Sequence, residues 1–306
     1  MQVNNSGREP TLIAAELPQP IPGGGEVLIR VRAAGVTPTE LHWDPTSHAK
    51  DGTPRLGAVP GHEFSGVIAA LGRDANGFQM GQEIYGMNDW FADGAVAEFC
   101  VTQPGNIAPK PATLIHEDAA TVPIGALTAW QGLLDRARIQ RGERVLVHGA
   151  AGSVGIFAVQ LAALHGAHVI GTASAHNLKL VAELGAEEVI DYRKSRFEDR
   201  TGKVDVVFDG VGGETLDRSA STLKSGGRLV TIVDQRSPDF FIVEPNQKQL
   251  SEVAKLLDAG RLKTYVNAAV PLPEASNAYT GPVPNKRGYG KVVIVIDEQT
   301  QSRRDG

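Results

Sequence analysis

Short apolar stretches alternate with turn-forming residues along the first hundred residues of the chain. The stretches are EVLIRVRAAGV, EFSGVIAALG, EIYGM and AVAEFCVT, and clusters such as PIPGGG and GRDANG separate them. Short runs rich in β-branched residues and bounded by Gly, Pro, Asn and Asp are typical of β-strands. The pattern therefore predicts a β-rich first domain.

From about residue 120 the apolar runs alternate instead with stretches of helical periodicity. Strands are predicted at 145–147 and 169–172 and in VDVVFDG and GRLVTIV, with helices from about Ser153, near 178–184 and at 247–259. Strands that alternate with helices predict a parallel sheet covered on both faces. The chain then ends in KVVIVI, a strand that most simply rejoins the first domain. We therefore predict a β-rich domain of residues 1–119 and 264–306 and an α/β domain of residues 120–263.

One segment, VLVHGAAGSVGIFAVQLAALHGAHVIGTA, joins two of these strands through a turn of small residues and a helix. This is the first unit of a doubly wound fold, in which the N-terminus of the helix can bind a pyrophosphate. The dinucleotide pattern G-x-G-x-x-G is matched in part by Ala150, Gly152 and Gly155, because alanine takes the first glycine position and Gly149 precedes it. Gly152 would let the backbone approach phosphates, and Gly155 would let the helix pack closely on the strand. Small residues also suit a tightly packed sheet that binds nothing, but the context favours nucleotide binding.

The residues after the second strand of this unit bear on which cofactor is bound. An NAD site usually has Asp or Glu about 20 residues past the glycines, where it binds the ribose hydroxyls. Ala173 and Ser174 occupy that place here, and Ser174, Asn177 and Lys179 could donate hydrogen bonds to a 2′-phosphate. This pattern favours NADPH. Ser174 could also cap the helix that follows, and the two roles are compatible.

Composition limits the class of protein. The chain has 306 residues, 42% of them hydrophobic, which is enough for two compact domains. Its formal charge of -5 and the lack of a basic run argue against a nucleic-acid partner. No apolar stretch approaches the roughly 18 residues needed to cross a membrane. Cys100 is the single cysteine, so an internal disulfide is excluded, and we expect a cytoplasmic protein.

With these features in place, the chain resembles the medium-chain dehydrogenase/reductase superfamily, and within it the zinc-free quinone oxidoreductase and enoyl reductase branch. The matching segments follow the family's order through nearly the whole chain, and they include GEVLIRVRAAGV, PGHEFSGVI, AATVPIGALTAWQGL, VLVHGAAGSVGIFAVQLA, LGAEEVIDYR, VDVVFDGVGGETL and GYGKVVIVI. The resemblance implies a GroES-like β-rich catalytic domain and a Rossmann doubly wound parallel-sheet domain, with the active site in the cleft between them.

The same resemblance assigns roles to individual residues. From the pyrophosphate through the 2′-phosphate to the nicotinamide ribose, the implied cofactor contacts are Gly152, Ser153, Val154, Gly155, Ser174, Asn177, Tyr192, Val211 and Gly212. Thr128 would lie near the carboxamide. Thr37 would lie beside the nicotinamide, where this branch often has asparagine.

His42 takes the position of a tyrosine found in several quinone reductases of the branch. Because its ordinary pKa lies near neutrality, it could donate a proton to a forming enolate. It could equally be an exposed loop residue, and the sequence leaves both interpretations open.

The zinc-dependent alcohol dehydrogenases of the superfamily carry cysteine ligands at the positions of Thr37 and Ala126. His62 and Glu63 remain from their GHE motif, but zinc needs about three protein ligands. We therefore predict that no metal is bound and that His62 is a hydrogen-bonded residue at a turn in the cleft.

Without a metal to polarise a simple ketone, the best acceptor is one that spreads its own developing charge. The sequence thus predicts an NADPH-dependent reductase of small-molecule quinones or α,β-unsaturated carbonyls. A zinc-type alcohol dehydrogenase and a non-catalytic NADPH-binding sensor are the alternatives. Because relatives are commonly dimers, we also expect a homodimer.

Overall fold

The computed structural model describes residues 1–4, 9–284 and 286–296. Its strands, in chain order, are β1 Gln2–Asn4, β2 Thr11–Ile13, β3 Val27–Gly35, β4 Glu63–Leu71, β5 Glu83–Met87, β6 Phe99–Thr102, β7 Ile107–Pro109, β8 Arg144–His148, β9 His168–Ala173, β10 Glu188–Asp191, β11 Val204–Asp209, β12 Leu223–Thr231, β13 Val266–Pro271 and β14 Lys291–Val295. Its α-helices are α1 Asp44–Ser47, α2 His116–Ala119, α3 Pro123–Trp130, α4 Gly155–Leu164, α5 Leu178–Glu183, α6 Glu198–Thr201, α7 Gly213–Ser219, α8 Gln247–Asp258 and α9 Ala275–Thr280.

A parallel five-stranded sheet forms the centre of the α/β part, with the strand order β10-β9-β8-β11-β12. The inner strands are apolar and buried because helices cover the sheet, and α3 and α4 pack together on it. The predicted doubly wound parallel sheet is therefore confirmed. The strand order reverses between β8 and β11, and in such sheets ligands bind beyond the carboxyl ends of the strands at this point.

A seven-stranded sheet holds strands from both ends of the chain, in the order β13-β14-β3-β4-β5-β7 with β6 paired to β3. The closing apolar run KVVIVI supplies β14, which pairs antiparallel with β3. The chain thus leaves this sheet, forms the parallel sheet and returns. The exact domain boundaries stay a prediction, and the tail 297–306 lies outside the described residues.

Two elements differ in length from the prediction. Of the run AVAEFCVT only β6 is a strand, because the amides of Ala95 and Val96 bond instead to the carbonyls of Gly61 and Pro60. Helix α4 begins at Gly155 and not near Ser153, because residues 149–154 form a turn in which Gly152 N donates to Gly149 O.

No helix in the described part of the chain is long and apolar enough to cross a bilayer.

Candidate active site

A cleft of about 890 Å³ opens at the carboxyl ends of β8, β9 and β11. Residues 288–290 close the cleft opposite the parallel sheet, and they directly precede β14 of the seven-stranded sheet. The lining residues are His148, Gly149, Ala151, Gly152, Thr172, Ala173, Ser174, Asn177, Tyr192, Arg193, Lys194, Ser195, Arg196, Phe197, Gly210, Val211, Thr215, Arg218, Asn267, Gly288, Tyr289 and Gly290. The cleft therefore lies at the switch point of the parallel sheet and takes its wall from the second sheet.

The glycine turn between β8 and α4 forms one end of the cleft. Gly149 has a φ of +71°, a conformation that favours glycine. A Cβ on Gly155 would lie 2.1 Å from Gly149 O, so only glycine allows α4 to approach the turn this closely. The amides of Ser153, Val154 and Gly155 find no acceptor among the described residues. Free amides at a helix N-terminus suit phosphate groups, and the pyrophosphate contact of this loop stays a prediction.

The end of β9 forms the next part of the cleft wall. Ser174 stands at the N-cap of the turn Ala175–Asn177, but its side chain makes no capping hydrogen bond, so the hydroxyl remains available to a ligand. Asn177 Nδ2 donates to Gly288 O at 2.9 Å, while its Oδ1 is buried without a partner in the described chain. Asn177 therefore ties the closing loop to the cleft, which leaves Ser174 as the freer donor of the two.

Four cations, Arg193, Lys194, Arg196 and Arg218, line the same cleft as Ser174, and its lining includes no Asp or Glu among the described residues. Arg196 and Arg218 share the carboxylate of Glu198, at 3.2 and 3.0 Å. Arg193 lies over the ring of Tyr192, 5.7 Å from its centroid, and neither it nor Lys194 forms an ion pair within the described ranges. This charge pattern fits a polyanionic ligand. The sequence analysis missed these cations; three of them belong to the segment RKSR at 193–196, which looks like ordinary surface charge in the sequence alone.

His148 ends β8 under the floor of the cleft. Its ring nitrogens lie 3.2 Å from Thr172 Oγ1 and 3.1 Å from Ser219 Oγ, and the ring packs edge-on against Phe197 with centroids 4.5 Å apart. Burial lowers the pKa of His148 to about 4, so the imidazole is neutral at physiological pH. It acts as a rigid link between β8, β9 and α7.

The loop after β11 is fixed by the buried Asp209. Its carboxylate accepts the amides of Val211 and Gly212 at 3.1 Å and the hydroxyl of Thr231 at 2.9 Å. Gly212 has a φ of +75°, and Val211 projects into the cleft half-exposed. The predicted contact at Val211 therefore lies on the wall, with Gly212 supporting it.

None of the three predicted catalytic residues lines this cleft. Thr128 is buried in α3, where its hydroxyl donates to Ile124 O at 2.6 Å. Thr37 is half-buried at the start of a 3₁₀ turn, Pro38–His42. The His42 side chain at the end of that turn is 58% exposed, with Nδ1 4.0 Å from the Glu9 carboxylate. Thr37 and His42 flank the same short turn, none of the three belongs to the cleft lining, and their roles stay predictions.

Near the start of β4 lie two sets of buried polar groups that the sequence analysis did not connect. Glu40 accepts hydrogen bonds from the Tyr279 hydroxyl and from His62 Nδ1, both at 2.6 Å. Glu63 accepts the amide of Ile124 at 3.0 Å and is paired with the ammonium of Lys291. His62 is therefore hydrogen-bonded, as its predicted role requires, but its partner Glu40 was not foreseen.

These residues do not fit a zinc ion. The described part of the chain contains no group of three or more His, Cys, Asp or Glu side chains placed to hold a metal. Glu40 already occupies His62 Nδ1, and Lys291 occupies Glu63.

Because zinc needs at least three protein ligands, we expect the purified chain to carry far less than one zinc and to keep its activity in a chelator. Metal analysis by mass spectrometry, with rates before and after dialysis against EDTA, checks this; one zinc per chain lost together with activity contradicts it.

Comparison with known families gives two matches. Residues 23–112 match the family described as alcohol dehydrogenase GroES-like domain. Residues 153–251 match the family described as zinc-binding dehydrogenase.

Several curated proteins are similar to nearly the whole chain. A probable mitochondrial zinc-binding oxidoreductase of Arthroderma benhamiae is 31% identical, with 96% of each chain covered. The quinone oxidoreductase of Mus musculus is 30% identical, with 95% of each covered. The 2-methylene-furan-3-one reductase of Solanum lycopersicum is 32% identical, over 88% of this chain and 71% of the relative.

Among solved structures, the quinone oxidoreductase from Coxiella burnetii superposes with a TM-score of 0.81 at 29% identity, covering 92% of this chain and 93% of that one.

Proposed function

Since the chain belongs to the medium-chain dehydrogenase/reductase superfamily, in its quinone oxidoreductase branch, we propose that it is an oxidoreductase that uses NADPH to reduce quinones or α,β-unsaturated carbonyl compounds without a metal. One observation carries the choice of cofactor: the cleft that Ser174 lines also holds four cations and, among its described lining residues, no carboxylate. A 2′-phosphate needs such a wall, whereas a carboxylate there would repel it.

Different residues of the cleft would bind different parts of the cofactor. The free amides at the start of α4 would bind the pyrophosphate, because a helix N-terminus carries positive partial charge. Ser174 and Arg193 would bind the 2′-phosphate, and Val211 would pack against the nicotinamide ribose. The bound nicotinamide would supply a hydride; the protein aligns donor and acceptor and excludes water.

The donor set of the described residues, which offers no group of three or more His, Cys, Asp or Glu to a metal, supports the proposed acceptor class. A simple ketone needs a Lewis acid or a strong hydrogen-bond donor to stabilise its oxyanion, whereas a quinone or enone spreads the charge itself. The mouse relative is named for quinones and the tomato relative for a conjugated ketone, which supports the same class.

We expect conjugated acceptors to be reduced far faster than unconjugated ones. With NADPH, kcat/KM for a quinone or an enone should exceed that for the matched saturated ketone by about 1,000-fold, which corresponds to roughly 4 kcal/mol of transition-state stabilisation. Steady-state rates on a matched quinone, enone, ketone and secondary alcohol measure it. Efficient turnover of the secondary alcohol would favour the zinc-type alcohol dehydrogenase instead, and tight NADPH binding with no oxidation by any acceptor would favour a sensor.

We further propose a cytoplasmic homodimer. Beyond the end of β12, the edge strand of the parallel sheet, the side chains of Val233 and Ile242 are about half exposed, and exposed apolar side chains suit a contact with a second copy. The Arthroderma relative is described as mitochondrial.

A further inference from the structure

Residues 288–290 form a strap that closes the cleft opposite the parallel sheet. At one end of the strap, Gly290 N donates to Ala151 O in the glycine turn at 3.2 Å. At the other end, Asn177 Nδ2 donates to Gly288 O at 2.9 Å. The strap precedes β14 of the seven-stranded sheet, whereas both of its partners follow strands of the parallel sheet. It therefore crosses the cleft and is fastened on the opposite side at two points.

The two ends of the strap are held differently. Gly290 is tightly packed, because a Cβ there would lie 2.2 Å from Tyr265 O. Gly288 is exposed, and a Cβ there would meet no atom within 4 Å. The Gly288 amide donates to Asn267 Oδ1 in β13, which belongs to the same sheet as β14. The strap thus has a packed end at Gly290 and an end at Gly288 that the hydrogen bond from Asn177 fastens to the α/β part.

This hydrogen bond, the latch, stabilises the closed strap only weakly. The Asn177 side chain is buried, and its Oδ1 has no hydrogen-bond partner in the described chain. A buried acceptor without a partner costs free energy, and this cost offsets much of the gain from the Nδ2 bond. Segments held by few contacts open locally at a low free-energy cost. The Gly288 end of the strap can therefore open while both sheets stay folded.

A dinucleotide that fills the proposed binding site would be enclosed by the strap. The amides proposed to bind the pyrophosphate directly follow the glycine turn, to which Gly290 is bonded. Ser174, proposed to bind the 2′-phosphate, lies in the same short turn after β9 as Asn177. The two fastening points of the strap are thus next to the two proposed phosphate sites. A cofactor that spans these sites is closed in on this side while the latch is made.

We propose that Asn177 is a positioning residue that latches the strap over the bound cofactor, and that the latch must open before the oxidised cofactor leaves. The inference rests on the cofactor in the proposed function. It gives Asn177 a role different from that of a 2′-phosphate donor, since a latch acts on the strap and retains NADPH and NADH alike. Breaking the latch speeds the dissociation of both cofactors and leaves the choice between them unchanged.

The binding test compares Asn177→Ala with Asn76→Ala. Asn76 is exposed outside the cleft lining, and its Nδ2 also donates to a backbone carbonyl, that of Asp74. Stopped-flow fluorescence of NADPH and NADH gives their dissociation rates, and displacement of NADP⁺ by NADPH gives the release rate of the oxidised form.

We expect Asn177→Ala to raise all three dissociation rates by about fivefold, as for the loss of one net hydrogen bond, and Asn76→Ala to change none of them. The ratio of the NADPH affinity to the NADH affinity should stay within about twofold of the wild type. A donor to the 2′-phosphate would instead lower the NADPH affinity alone.

A second measurement needs no cofactor. In the ligand-free protein, amide hydrogen exchange followed by NMR reports on the strap directly. The Gly288 amide should exchange about fivefold faster in Asn177→Ala, because its end of the strap opens more often. Exchange at Gly290 and in β8 should be unchanged, which separates opening of the strap from global destabilisation. Asn267→Ala, which removes the acceptor of the Gly288 amide, should also speed the dissociation of both cofactors.

The outcomes separate this inference from the proposed function. If the wild type binds neither NADPH nor NADH, both are overturned. If it binds them and reduces no acceptor, the proposed reduction fails, and the dissociation rates still decide the role of Asn177. If Asn177→Ala weakens NADPH binding alone, Asn177 is a donor to the 2′-phosphate and the latch is overturned. Unchanged dissociation rates, or an unchanged exchange rate at Gly288, overturn the latch as well.

Discussion

Ser174→Asp is expected to reverse the cofactor preference from NADPH to NADH. Ser174 directly follows β9, lines the cleft, and has a hydroxyl free of any capping bond. A carboxylate there would accept hydrogen bonds from the ribose hydroxyls of NADH, and it would repel a 2′-phosphate. NADPH would lose one charge-assisted hydrogen bond and meet a new repulsion, which together weaken its binding free energy by roughly 3 kcal/mol. The ratio of the NADPH affinity to the NADH affinity should therefore fall by about 100-fold or more.

Affinities for both cofactors, from fluorescence titration of the wild type and the variant, measure this change. Ser251→Asp is the matched control, because Ser251 lies in α8, outside the residues that line the cleft, and its hydroxyl bonds only to Gln247 O. It adds the same charge to the chain and should leave the ratio unchanged. Equal affinities for NADPH and NADH in the unmodified protein would show that the cations near Ser174 do not select a 2′-phosphate.

The sequence predicted the parts of the fold that depend on local pattern. Buried strands such as β8, β9 and β11 are continuous apolar runs, and burial on both faces of a parallel sheet requires that pattern. The glycine turn was also predictable, because only glycine tolerates the close approach of α4 at Gly155. For these elements a few neighbouring residues determine the conformation.

The closing wall of the cleft was not predictable in this way. Asn177 meets Gly288 across 111 residues of sequence, and Asn267 Oδ1 accepts the Gly288 amide at 3.0 Å. Neither contact leaves a periodic or spacing signal. Arg193 and Lys194 resemble ordinary surface charges until the fold places them beside the end of β9.

The hydrogen bonds that Glu40 accepts show the same limit. The GHE segment identified His62 as a hydrogen-bonded residue, but Tyr279 lies 239 residues from Glu40 along the chain. Only the return of the chain to the first sheet brings α9 onto the turn at Glu40. His42, two residues further on, faces outward, so residues of one short turn differ in burial for reasons of tertiary packing.

Gly155→Ala is expected to cause the other large effect, loss of NADPH binding together with lower stability. The new Cβ would lie 2.1 Å from Gly149 O and 2.8 Å from the Ala150 Cα, and both are backbone atoms that cannot rotate away. The glycine turn must therefore shift, which moves the amides proposed to bind the pyrophosphate. Overpacking of this kind costs about 1–3 kcal/mol of folding free energy. We expect NADPH affinity to fall by about 30-fold or more, since each 1.4 kcal/mol is tenfold.

Two glycine variants make the effect attributable to crowding. Gly105→Ala adds a Cβ with no atom within 4 Å and should change neither quantity, while Gly152→Ala, whose Cβ would lie 3.2 Å from Gly149 O, should be intermediate. Urea unfolding and NADPH titration of all three give the comparison. Alanine is normally the better helix former by about 1 kcal/mol, so any destabilisation at Gly155 must exceed that gain. Suppose instead that Gly155→Ala has the same free energy of unfolding and the same NADPH affinity as the wild type. Then α4 and the glycine turn can move apart at no cost, and Gly155 has no role in binding.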